Sequence, residues 1–167
     1  NAGGALSGVL RVSAPLSFGI AHMSTAMAQF MHTHPEIHIE MDLSDKRVDM
    51  IAEGFDVAIR IGNLTDSSLI AKKISSVSVV PTAAPGLIAQ WPQLEHPDDL
   101  VKMPALAYGN DRSQHDWYYT GPDGKTGSLN ITPRMSANNG DVLRDLAIAG
   151  LGMVSLPTFL HYEAINK

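Results

Sequence analysis

The stretch 53–62, EGFDVAIRIG, places a guanidinium at the end of an apolar run, and anion recognition is the chemistry that this order of residue types suggests. Val57, Ala58, Ile59 and Ile61 form a short continuous apolar segment, the mark of a parallel strand covered on both faces. Arg60 interrupts it at the last step. Ligands of open α/β sheets sit beyond the carboxyl ends of the strands, so an arginine there is placed to meet an anion. An internal salt bridge to Asp45 or Asp56 is the competing reading.

Two further groups carry polar chemistry. Asn138-Asn139-Gly140 sets two amides ahead of a helical pattern, and Pro15-Leu16-Ser17-Phe18 opens another, so both present backbone donors where a ligand's oxygens could arrive. His32, His34 and His38 raise the question of zinc. They fall at a helix end, in a turn and on a strand, a spacing that does not converge, and no metal or other cofactor is expected. There is no nucleophile elbow, phosphate loop or dinucleotide fingerprint, and no serine is paired with a histidine by any local motif. No enzyme activity is expected.

The elements that must position these residues are readable in order. Residues 9–14 form a strand, Pro15 marks the turn, and the apolar residues Ile20, Met23, Met27, Phe30 and Met31 recur at helical spacing over 17–32. Pro35 blocks continuation, and Ile37, Ile39, Met41 and Leu43 alternate with polar residues as a second strand. Ser44 and Asp45 cap an expected short helix over 46–53, which Gly54 closes before the third strand. Strand, helix, strand, helix, strand implies a parallel sheet with right-handed crossovers.

After a polar loop at 63–68 and an extended stretch at 69–80, a lobe boundary is expected near Ile74. Short helices are expected from Pro85 and Pro97, and a brief strand at 105–108. Residues 116–120 and 128–132 flank Pro122-Asp123-Gly124-Lys125, a hairpin turn signal. Trp117, at the end of the polar stretch 111–117, is expected to pack into that hairpin beside a solvated loop, with lining a mouth between lobes as the competing reading. A helix over 141–149 with Val142, Leu146 and Ala149 on one face, a strand at 153–156 and a helix from Pro157 complete the chain.

Composition bounds the partners. A 167-residue chain of net charge −5 lacks the basic face that phosphate binding needs, so contact with nucleic acid must come from elsewhere. No stretch approaches the roughly 20 apolar residues of a membrane span, and the start reads as a linker without a signal peptide. The absence of cysteine fits the cytoplasm and also suits the periplasm.

Taken together, LRVSAP at 10–15 with Phe18-Gly19, DKRVD at 45–49, EGFDVAIRIG at 53–62, DSSL at 66–69, Asn138-Asn139-Gly140, and AGLG at 149–152 running to Leu156-Pro157 resemble the effector-binding domain of LysR-type transcriptional regulators. The resemblance covers nearly the whole chain in order. It implies an α/β fold of two Rossmann-like lobes like those of type 2 periplasmic binding proteins, with a small-molecule inducer in the cleft. The expected lobes are 1–74 and 75–155, with 156–167 leading back towards the first; the family normally continues there with a further strand and closing helix. A winged helix-turn-helix and a linker helix, which these residues do not include, carry the DNA contacts.

Carried over by position, the inducer site falls on Pro15, Leu16, Ser17 and Phe18, on Asp45, on Arg60, and on Asn138 and Asn139, with Tyr108 as a further candidate. Asp45 departs from the neutral hydroxyl frequent at this place, so it either repels an anion or pairs with Arg60. The family's side-by-side dimer implicates Met23, Met27 and Met31 with Ile37, Ile39 and Met41. The expected protein is a cytoplasmic, non-enzymatic sensor acting as a homodimer or tetramer, with a periplasmic-type solute-binding protein as the alternative.

Overall fold

In the computed structural model, residues 6–46, 48–62, 69–91, 93–109 and 115–165 are described. The chain divides into two compact units, Asn1–Lys72 and Lys73–Lys167.

The first unit is a parallel sheet of β1 (Gly8–Ala14), β2 (Ile37–Leu43) and β3 (Val57–Ala58) in the order β2-β1-β3. Between β1 and β2 runs one helical stretch: α1 (Leu16–Phe18), a π-helical segment (Gly19–Met23) and α2 (Ser24–Thr33). Position 19 favours glycine for a steric reason, because a Cβ there would run into the Leu43 side chain at the end of β2. Burial deepens along β1, from exposed Gly8 and Val9 to Val12, Ser13 and Ala14, all nearly inaccessible.

Two local expectations give way here. Residues 46–53 do not form a helix among the described positions; one turn forms instead, with Glu53 N–H donating to the Asp49 carbonyl. Asp49 Oδ1 accepts from the Ile51 and Ala52 N–H groups, and Glu53 Oε1 accepts from that of Asp49. Capping at Asp49 rather than at Ser44 or Asp45 leaves no room before Gly54, whose φ of 72° ends the turn. The third strand pairs over only two residues, and Val57 is 44% exposed. β1 ends at Ala14, so after Ile59 N–H reaches the Ser13 carbonyl no partner backbone continues.

The second unit holds a four-stranded mixed sheet of β4 (Val79–Thr82), β5 (Ala105–Tyr108), β8 (Met135–Ala137) and β9 (Met153–Pro157), ordered β4-β9-β5-β8. β4 is the antiparallel edge strand, where Pro81 is tolerated. Strand alternation sends neighbouring residues to opposite faces. Ala105 and Met153 join Leu87, Met103, Leu129 and Ile131 on one side. Leu106, Val154 and Leu156 join Leu143 and Ala147 on the other.

The first face is covered by α3 (Pro85–Ile88), a 3-10 helix (Pro97–Lys102) and the hairpin of β6 (Asp116–Thr120) and β7 (Thr126–Asn130). The hairpin forms as expected, with β7 starting two residues earlier than the sequence suggested. The other face carries α4 (Gly140–Ile148) and α5 (Thr158–Ile165). The buried stripe of α4 is Gly140, Leu143 and Ala147, with Leu146 beside it, whereas Val142 is 46% exposed and Ala149 is exposed. Gly140 sets that phase, since a Cβ there would meet Leu160 of α5 at 2.6 Å. The segment 156–165 thus contributes its strand end and α5 to the second unit.

Candidate functional site

In the first unit the chain leaves the carboxyl end of β1 for β2 on one side, while β3 lies on the other. The β1/β3 gap is therefore a switch point, the place where open α/β sheets hold ligands. Arg60 lies two residues beyond β3 and is half-buried. Its Nη2 donates to Ser13 Oγ at 2.7 Å, and its Nη1 to the Ile59 carbonyl at 2.8 Å. Ser13 is fully buried, so this serine fixes the guanidinium against the floor of the gap.

Among the described residues no carboxylate is ion-paired with Arg60. Asp56 accepts the Arg11 backbone N–H at 2.8 Å instead. Arg11 also donates from Nε to Glu40 at 2.8 Å and from Nη1 to the Glu53 carbonyl at 3.2 Å, which ties β1 to β2 and to the turn before β3. Asp45 is exposed just after β2, at the same sheet end as Arg60.

Pro15 precedes α1, and no side chain caps the helix start. Ser17 is buried; Leu16 and Phe18 are half-buried, with the Phe18 ring 5.1 Å from that of His22. Pro15 to Phe18, Asp45 and Arg60 thus share the carboxyl end of one sheet. The sequence reading missed Ser13. Its only signal is a small polar residue between Val12 and Ala14 in an otherwise apolar strand end.

The residues singled out in the second unit behave differently. Asn139 is the N-cap of α4, its Oδ1 accepting the Val142 N–H at 3.0 Å, whereas Asn138 is exposed. Tyr108, half-buried at the end of β5, lines a cavity of about 630 Å³ between the sheet face and the hairpin. Trp117 and Tyr119 of β6 wall it, and both also pack on the apolar cluster.

The histidine triplet is dispersed. His34 packs on Phe30 with ring centroids 4.7 Å apart, while His32 and His38 are exposed. Of the expected interface residues, Met23 is buried in its own unit, Met31 is 51% exposed, and Met27, Ile37, Ile39 and Met41 are half-buried. No helix among the described residues is long and apolar enough to cross a membrane.

The decisive comparison is with a family model described as the LysR substrate binding domain, which matches residues 3–167. This chain belongs to that family. The LysR substrate-binding domain has the two-lobed α/β fold of type 2 periplasmic binding proteins, as the sequence implied. An HTH-type transcriptional regulator of Haemophilus influenzae is 35% identical over 162 residues, which are 97% of this chain and 56% of that protein. PtxR of Pseudomonas aeruginosa, also an HTH-type regulator, is 32% identical across 96% of this chain and 51% of its own length.

Solved structures agree with these LysR relatives. The full-length Vibrio cholerae virulence activator AphB superposes with a TM-score of 0.82 at 32% identity, covering 99% of this chain and 56% of AphB. The regulatory domain of CrgA from Neisseria meningitidis gives 0.79 at 25% identity, covering 96% and 78%. The chain spans about half the length of the curated relatives it matches. These matches favour the regulatory domain of a LysR-type regulator over a solute-binding protein.

Proposed function

We propose that this LysR substrate-binding domain senses a small anionic effector at the carboxyl ends of β1, β2 and β3. The half-buried Arg60, held on buried Ser13 and without a carboxylate partner among the described residues, carries that reading. A guanidinium fixed through two of its five N–H groups keeps the others for a planar oxyanion. The first-turn backbone at Leu16 to Phe18 adds dipole attraction at the same sheet end, and exposed Asp45 selects against bulky polyanions by repulsion.

The domain binds and does not transform its ligand. Effector binding shifts the population of lobe arrangements, and that shift reaches DNA-binding heads elsewhere in the regulator through a dimer or tetramer in the cytoplasm. Half-buried Met27, Ile37, Ile39 and Met41 with exposed Met31 form the apolar face of that assembly.

Melting shifts with a panel of small carboxylates and neutral aromatics test the reading. An acid that stabilises the wild type is expected to lose that effect in Arg60→Ala. Equal shifts in both proteins would assign Arg60 a purely structural role.

A further inference from the structure

We propose that the cavity of the second unit is a binding site in its own right, independent of the Arg60 strand end, and that it takes an aromatic molecule carrying an amine. Its volume of about 630 Å³ is within the range that holds small ligands. The hairpin wall is held by five residue pairs from Asp116↔Asn130 to Thr120↔Thr126. The opposite wall, reaching from Leu94 to Leu100, is fixed by a capping box in which the His96 ring accepts the Asp98 N–H and Asp99 accepts the His96 N–H.

The lining selects for chemistry. Trp117 and Tyr119, which also pack on the apolar cluster of this face, contribute two aromatic side chains, and Leu94, Leu100 and Leu129 add aliphatic surface. The charged residues of the lining are exposed Glu95 and half-buried Asp116, both acidic, and no lysine or arginine lines the cavity among the described residues. Asp116 Oδ1 accepts from Asn130 at 2.7 Å, and neither carboxylate is ion-paired to a cation among those residues.

An anion entering here would approach two acidic residues and no lysine or arginine among the described residues. An ammonium would meet opposite charge at the rim and the negative faces of aromatic rings within. The preference is therefore opposite in sign to that of Arg60.

Calorimetric titration with naphthylmethylamine, naphthylmethanol and naphthoate, which share a ring system and differ in charge, tests the assignment on the chain itself. The amine is expected to bind at least about tenfold more tightly than the carboxylate. Glu95→Lys, a change at an exposed residue, is expected to narrow that gap several-fold, and Ser155→Leu, which fills the cavity floor, to weaken all three probes. Arg60→Ala is expected to leave amine binding unchanged, which separates this site from the strand-end site. Equal affinities for amine and carboxylate, no binding of any probe, or amine affinity indifferent to Glu95→Lys would overturn the proposal.

Discussion

Arg60 and Ser13 are joined by a 2.7 Å hydrogen bond from Nη2 to Oγ, linking the residue just past β3 to the penultimate residue of β1. Ser13 is 0% exposed, so the charged donor has a buried, neutral acceptor. Ser13→Ala should lower stability by about 1–2 kcal/mol, since a charge-assisted bond is lost, and should weaken the acid-induced melting shift without abolishing it. Urea unfolding with and without the acid measures both effects.

Asn139 and Asn138 should separate cleanly although they are adjacent. Asn139 caps α4, so Asn139→Ala is expected to cost about 1 kcal/mol, whereas exposed Asn138→Ala should change stability by less than about 0.5 kcal/mol. Any loss of effector binding in Asn138→Ala then reports contact rather than folding. Thermal melts paired with titrations read the two apart.

Gly19 faces the Leu43 side chain so closely that a methyl group cannot be added without displacement. Gly19→Ala gains helix propensity but overpacks the junction of the helical stretch with β2, and a net loss of about 1–3 kcal/mol is expected. Leu143, fully buried between α4 and the sheet, gives the opposite defect. Leu143→Ala should cost about 2–5 kcal/mol through the cavity it leaves. The two substitutions, in different units, are expected to add, and chemical denaturation of the double variant checks this.

His161 is 3% exposed, with Thr82 Oγ1 at 3.3 Å from Nδ1. Burial pushes its pKa below the ordinary histidine value, the positive charge of Arg144 adds to the depression, and a backbone hydrogen bond with Leu156 opposes it. As pH falls through the ordinary value of about 6.5, the unfolded chain takes up a proton that the folded chain refuses. Stability must therefore fall with acidification below that point and be regained as pH rises. His161→Gln should flatten this part of the profile, measured as melting temperature between about pH 5 and pH 7.5.

Much of the architecture was legible because it depends on local pattern. The alternation of Ile37 to Leu43, the Asp-Gly turn of the hairpin and the amide before α4 each report their element from nearest neighbours. The errors have distinct physical sources. The turn at 49–54 replaced the helix expected from a cap at Ser44 and Asp45 because the Asp49 and Glu53 carboxylates accept the backbone N–H groups of this stretch and start the turn later. The buried stripe of α4 runs through Leu143 rather than Val142 because the approach of Leu160 to Gly140 sets the helix phase.

The order of residues by itself determined the family, the strand–helix alternation and the placement of an arginine at a strand end. Those features follow from composition and spacing along the chain. Only the tertiary structure decided that Arg60 rests on Ser13 instead of Asp45 or Asp56, that Asn139 commits its side-chain oxygen to a helix, and that the aromatics of β6 enclose a cavity with Leu94 and Leu100. Each of these joins residues distant in sequence or competing for one group. Which partner wins is set by the strand order β2-β1-β3 and by the packing of the hairpin on its sheet, quantities that no local pattern contains.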